Sequence, residues 1–176
     1  MGGAQGEVAD RVANTAAGAR ELMQAVASRS DDAPAARHVR AWLVLVAALA
    51  VHIADEAMTG FLDFYNPLVL SIRARTPWFP MPTFAFDDWL RLLTLAVLVL
   101  AAVSPWIRRG GTGPAAASWI FSVVMFLNGV GHLAGSVFVE RWLPGATSAP
   151  LLLVASAMLA RRTLNRRASA RSVGGT

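Results

Sequence analysis

The chain has 176 residues, of which 55% are hydrophobic and 15% are charged. Soluble domains typically carry about a quarter charged residues, so this composition and a mean hydropathy of +0.48 indicate a small integral membrane protein. The 16 basic residues are all arginines at the ends of apolar runs, which argues against a nucleic-acid-binding patch. The absence of cysteine excludes disulfides, thiolate nucleophiles and Cys-ligated zinc.

The composition divides the chain into three parts. Residues 1–36 are alanine-rich and are predicted to form a cytoplasmic extension, amphipathic or disordered, with a break at the sequence SDDAP of residues 30–34. Residues 37–162 form the transmembrane domain, and His38 at its edge is expected to be solvated among arginines. Residues 163–176 are predicted to be a basic disordered tail, whose arginines fit either anionic lipid binding or a plain stop-transfer end.

Four apolar runs predict an all-α fold, an integral membrane four-helix bundle. The predicted spans are residues 41–61, 89–106, 115–138 and 148–159. Asn66 followed by Pro67 predicts the start of a short interfacial helix between the first two spans. The proline-rich residues 76–82 predict a loop anchored at the membrane surface by its aromatic side chains, and Asp87 or Asp88 is predicted to cap the second span.

The arginines indicate the topology. With four spans, the arginines before the first span, after the second and after the fourth all fall on one side, which the positive-inside rule makes cytoplasmic. The three arginines on the other side, which weaken this signal, are Arg73, Arg75 and Arg141. We therefore predict a protein of the cell membrane with both termini in the cytoplasm.

The first span carries three ionisable side chains, His52, Asp55 and Glu56. On a helix the two carboxylates lie one turn beyond the histidine and flank it on the same face. A charged residue at mid-membrane costs about 2.5–3.5 kcal/mol, so these side chains are expected to face a protein interior. At 1.5 Å per residue from residue 41, His52 lies about 16 Å and Glu56 about 22 Å across a core of about 30 Å.

The third span carries polar groups that can interact with the ionisable side chains of the first span. Asn128 and His132 are four residues apart on one helical face, and they lie about 20 Å and about 25 Å deep when counted from residue 115 in the same direction. Gly131 and Gly135 form a small-xxx-small pair that predicts close helix approach beside His132. Both polar sets thus lie in the outer half of the bilayer, and the candidate catalytic residues are His52, Asp55, Glu56, Asn128 and His132.

These motifs resemble those of the HXXEE-motif membrane proteins, a family named for His-x-x-Glu-Glu. The matching segments are HIADE at residues 52–56, followed by GF at residues 60–61, and WLPG at residues 142–145, which corresponds to a Tyr-x-Pro-Gly motif. The family's second histidine, in a later span, is matched by His132 with Asn128 one turn before it. The resemblance covers roughly residues 41–160.

Two positions depart from the family pattern. Asp55 replaces the first glutamate and is shorter by one methylene, which puts in doubt any role that needs long reach. Trp142 replaces the tyrosine, so residue 142 supplies no phenol. The resemblance implies a multi-span membrane protein that is suspected of being an enzyme and has no settled substrate.

The first functional hypothesis is a membrane-embedded enzyme that acts on a lipid-like or other apolar small molecule. In a metal-dependent hydrolase or oxidase, His52, Glu56 and His132 would bind a divalent ion such as zinc or iron, and Asn128 or the free carboxylate would orient a water. In a metal-free isomerase or cyclase, Glu56 would be a general acid or base and a histidine would hold the complementary proton. The sequence slightly favours the metal-free version, because no third histidine completes a closed ligand set.

Two hypotheses come from other classes. Acidic and imidazole side chains in adjacent spans also suit a proton or ion pathway or a small-molecule carrier, although the sequence shows no paired half-repeats. A structural or partner-binding membrane subunit would use the polar layer only to fix helix packing. The expected partners are membrane lipids and an apolar small-molecule substrate, with no nucleic acid.

Overall fold

A computed structural model describes residues 3–173, with only the backbone given for most residues before 33 and after 166. Within this part of the chain there are six helices and no strand, so the all-α prediction is confirmed. The helices are α1 (Gly3–Thr59), α2 (Phe61–Arg75), α3 (Phe86–Ala102), α4 (Ser104–Arg109), α5 (Thr112–Phe138) and α6 (Ala149–Val173).

The chain divides into two units, residues 1–36 and residues 37–176. The described residues of the first unit belong to α1, and the same helix ends at Thr59. The predicted break at residues 30–34 is wrong, because α1 continues with Pro34 inside it. A proline in a helix costs about 3 kcal/mol, but the three alanines around Pro34 are the strongest helix formers.

Three segments of the described chain are long and apolar enough to cross a membrane, namely Ala33–Thr59, Phe86–Arg109 and Thr112–Phe138. They support a membrane protein, but α6 is not among them. Its apolar part, residues 149–160, spans only about 18 Å of a hydrocarbon core of about 30 Å. The predicted count of four spans is therefore not established.

The helix before the second crossing segment begins earlier than predicted. Gly60 adopts the left-handed conformation (φ 76°), and α2 starts directly after it at Phe61, with Pro67 inside the helix. The prediction that Asn66 begins this helix is wrong. Its side chain instead donates to the Phe84 carbonyl (2.9 Å) and accepts the Phe84 N–H (3.1 Å), which ties α2 to the loop before α3.

Two other predicted boundaries differ. Asp87 and Asp88 lie in the first turn of α3, where Ala85 is the N-cap residue and no side chain caps the helix. The tail predicted to be disordered is helical as far as Val173, since α6 continues through it. Arginine and alanine are good helix formers, and residues 174–176 lie outside the described chain.

The core of the second unit is formed by α1, α4, α5 and α6. Trp42 is buried, contacts the Phe121 ring (centroids 4.9 Å apart) and donates its indole N–H to the Leu100 carbonyl (2.8 Å). His38 is buried and lies 3.0 Å from the Ser118 hydroxyl. The prediction that His38 is solvated is therefore wrong, because α1 turns this face toward α5.

Close contact between α5 and α6 occurs at Gly129. A Cβ there would lie 3.1 Å from the Ala149 carbonyl oxygen, whereas Gly131 has open space around it and Gly135 meets the Leu143 side chain at 2.8 Å. The predicted helix seam at Gly131 and Gly135 is thus wrong. The seam lies on another face of α5, and Gly131 instead lines a cavity.

Candidate functional site

Three of the predicted residues meet at the end of α1. Glu56 Oε1 lies 3.1 Å from His132 Nε2 and 3.6 Å from His52 Nε2. His52 and Glu56 are four residues apart and share one face of α1, while His132 comes from α5. The two imidazole rings meet edge to face with centroids 4.7 Å apart. His52 is 1% exposed and Glu56 is 5% exposed, so the cluster is enclosed by protein.

The second nitrogen of His132 has a fixed partner. His132 Nδ1 lies 2.7 Å from the Pro144 carbonyl oxygen. A carbonyl only accepts hydrogen bonds, so Nδ1 carries a proton and donates it. The other ring nitrogen, Nε2, faces Glu56, and in the neutral form of the ring it carries the lone pair.

The second nitrogen of His52 is held through a serine. His52 Nδ1 lies 2.8 Å from Ser148 Oγ, and Asp55 Oδ2 accepts both the Ser148 hydroxyl (2.7 Å) and the Ser148 N–H (2.9 Å). The other acceptor near this hydroxyl, the Gly145 carbonyl, is farther away at 3.2 Å. Because the hydroxyl has one proton and gives it to Asp55, Ser148 Oγ accepts the His52 Nδ1–H. The His52 Nε2 lone pair therefore also points into the cluster.

The turn between α5 and α6 forms the floor of the site. The Ala146 N–H donates to the Leu143 carbonyl (3.1 Å), and Gly145 has φ 81°, which agrees with the type II turn expected from proline followed by glycine. A Cβ on Gly145 would lie 2.8 Å from His132 Cε1 and 2.9 Å from His52 Cε1. Glycine is thus required for both imidazoles to rest against this backbone.

The remaining two predicted residues occupy different places. Asn128 faces His52, and its Oδ1 is buried without a hydrogen-bond partner in the described chain, as is His52 Nε2. Asp55 does not reach the cluster and acts on Ser148 instead. Sequence reasoning missed Ser148 and the Pro144 carbonyl. The available signal was the position of Ser148, a polar residue that follows the WLPG motif and begins the fourth apolar run.

Two cavities open beside the cluster, one on each side of Phe61. The first, about 320 Å³, is lined by Glu56, Phe61 and Trp89 among others. The second, about 260 Å³, is lined by Phe61, Asn128 and His132 among others. The Phe61 ring lies 5.9 Å from both the His132 and the Trp89 rings, centroid to centroid. An aromatic side chain thus separates two spaces that both reach the polar centre.

The outer wall of this region is α2. Its Tyr65 donates a hydrogen bond to the Pro82 carbonyl (3.0 Å). Burial raises the pKa of the Tyr65 phenol, and the nearby Arg73 guanidinium opposes that shift, so the phenol remains a donor. Together with the Asn66 contacts, this bond fastens the loop between α2 and α3 over the first cavity.

These features define an all-helical protein with three helices of membrane-spanning composition and a buried histidine–glutamate–histidine centre. The chain belongs to the HXXEE family, described as proteins of unknown function with HXXEE motif, because the family's model matches residues 42–160, more than half of the chain. The resemblance seen in the sequence is thereby confirmed. No curated protein and no solved structure matches the chain.

Proposed function

We propose that the protein is a membrane-embedded enzyme that acts on a lipid-like or other apolar small molecule, with His52, Glu56 and His132 as its reaction centre. The observation that carries this proposal is the contact of one buried carboxylate with two imidazoles at the point where two cavities open. Ionisable groups inside membrane segments are expensive and usually serve function.

The surroundings of the cluster support a small molecule that has an apolar body and a polar end. The larger cavity, about 320 Å³, falls within the range of about 300–1,000 Å³ for small-molecule sites. Aromatic side chains of α2 and α3 line it together with the polar side chains of Glu56, Asp63 and Asn66. The side chain of Asn128 lines the smaller cavity, where it would hydrogen-bond to a hydroxyl of the substrate. Glu56 and the two histidines would then act on that polar end of the molecule by proton transfer or through a bound metal.

The packing of α6 supports a fourth crossing, and with it the topology in which both termini lie in the cytoplasm of a cell-membrane protein. The beginning of α6 packs at Gly129, and the opposite end places Arg166 next to Gly110, just before α5. α6 thus runs along α5. Its buried residues Leu152 and Leu159 face the bundle core, so this helix needs less apolar surface than one that faces lipid.

The proposal is tested by lipid mass spectrometry on cells that express the unaltered protein or Glu56→Gln. We expect a product that is present with the unaltered protein and lost with the variant, while Glu140→Gln, an exposed glutamate in the turn after α5, behaves like the unaltered protein. If cells with the unaltered protein and cells with Glu56→Gln have identical lipid profiles at equal protein levels, the proposed enzymatic function is contradicted. Proton flux in proteoliposomes that requires Glu56 would instead support a transport pathway.

A further inference from the structure

We propose that His52, Glu56 and His132 bind one divalent transition-metal ion, zinc or iron(II), through the two Nε2 atoms and a carboxylate oxygen. The inference names the cofactor class of the site and rests on the proposed function for that site's role as a reaction centre. Its measurement, metal content, is separate from any measurement of activity.

The two separations that involve Glu56 Oε1 match those of a metal site. One donor atom from each of the three side chains lies within 4.8 Å of the other two. Ligands at about 2.0–2.1 Å from a tetrahedral zinc ion stand about 3.3 Å apart. The observed separations from Glu56 Oε1, 3.1 Å to His132 and 3.6 Å to His52, lie on either side of that value.

Both imidazoles are oriented as metal ligands are. Histidines that bind metals almost always donate the other ring N–H to a backbone carbonyl, a carboxylate or a water, which fixes the tautomer and turns the lone pair to the metal. His132 does so directly to the Pro144 carbonyl. His52 does so through Ser148, which in turn donates to Asp55. The role of Asp55 is therefore to position His52, and its short side chain suffices for it.

Protons alone leave the cluster incompletely satisfied. A single proton shared between Glu56 and His132 serves that pair, which is only 3.1 Å apart. His52 Nε2 then has the Asn128 amide as its other polar neighbour, but neither this nitrogen nor Asn128 Oδ1 makes a hydrogen bond of good geometry within the described chain. A divalent cation accepts electron pairs from all three atoms at once. This orphaned nitrogen makes the metal version a better match to the contacts than the metal-free version that the sequence slightly favoured.

Three protein ligands leave a coordination position open, which is the arrangement of catalytic rather than structural sites. Two histidines and one carboxylate with open positions suit both zinc and non-haem iron. Each cavity at Phe61 is lined by one of the three residues, Glu56 in the first and His132 in the second. The open position is thus accessible to a small molecule that enters from either cavity.

The test is elemental analysis of the full chain, purified in detergent without chelator. We expect about one zinc or iron ion per chain, and no more than about a tenth of that in Glu56→Gln and in His132→Ala, because a divalent ion needs all three ligands. The matched control is His38→Ala, which removes a buried histidine of α1 outside the cluster and should retain the metal. Ser148→Ala keeps the ligands and should weaken metal affinity about 10–100-fold.

A second measurement uses only the unaltered protein, so its result does not depend on whether the variants fold. The metal-stripped, unaltered protein is titrated with cobalt(II), and we expect the intense visible absorption of a low-coordinate site. Less than about a tenth of an ion per chain together with no cobalt absorption would overturn the proposal, as would metal that persists in both ligand variants. If the protein binds metal but Glu56→Gln causes no change in lipids, the proposed enzymatic function is refuted and the metal site is not. If metal-free protein shows turnover that depends on Glu56, the proposed metal site is refuted and the enzymatic function is not.

Discussion

Replacing Gly145 by alanine places a methyl group against both imidazoles of the candidate site. The new Cβ would lie 2.8 Å from His132 Cε1 and 2.9 Å from His52 Cε1, closer than carbon atoms approach without a shift. Neither ring can retreat easily, since the Nδ1 atom of each is held by a hydrogen bond. We therefore expect Gly145→Ala to destabilise the fold and to displace the histidines from Glu56.

The expected magnitude has two contributions. Gly145 has φ 81°, and an L-residue in the left-handed region costs about 1–2 kcal/mol. Inserting a methyl group into a packed site costs about a further 1–3 kcal/mol. The free energy of unfolding should thus fall by about 2–5 kcal/mol, the sum of the two ranges.

Gly111→Ala is the matched control, because Gly111 also has a positive φ (94°) but a Cβ there meets nothing within 4 Å. The backbone of Gly111 (φ 94°, ψ −178°) lies in a region essentially restricted to glycine, so alanine there should cost about 1–3 kcal/mol and leave the cobalt absorption unchanged. The assay is unfolding of the detergent-solubilised protein by increasing dodecyl sulfate, followed by circular dichroism, together with the cobalt absorption of the site. Equal destabilisation by the two alanines, with unchanged cobalt absorption in Gly145→Ala, would refute the reasoning.

Three further changes are measured by the same unfolding assay. Asn66→Ala removes both hydrogen bonds to Phe84 and should cost about 1–3 kcal/mol; an unchanged midpoint would mean that these bonds do not hold the loop. Trp42→Phe leaves one carbonyl of α3 without its donor and should cost about 1 kcal/mol. Leu152→Ala empties a fully buried position of α6 and should cost about 2–5 kcal/mol, clearly more than the exposed Leu151→Ala.

Local signals predicted which side chains of α1 and α5 lie close together. The spacing of His52 and Glu56 places them on one helical face whatever the packing, and the depth count brought His132 to the same level of the bundle. Predictions from local sequence were wrong where a side chain binds a residue that is distant in the sequence. Asn66 has the features of an N-cap, but its amide binds Phe84, 18 residues later. His38 looked solvated beside arginines, but it lies against Ser118, 80 residues away.

The sequence by itself determined the helical class, the three strongly apolar helices and the family, because each depends on composition, periodicity or short motifs within one segment. Only the tertiary structure decided how the histidines are held and where Asp55 acts. Those outcomes depend on Ser148 and the Pro144 carbonyl, which reach the site through the turn between α5 and α6. Hydrogen bonds across more than ninety residues follow from how the helices pack, and no local pattern encodes which lone pairs they leave facing the cavity.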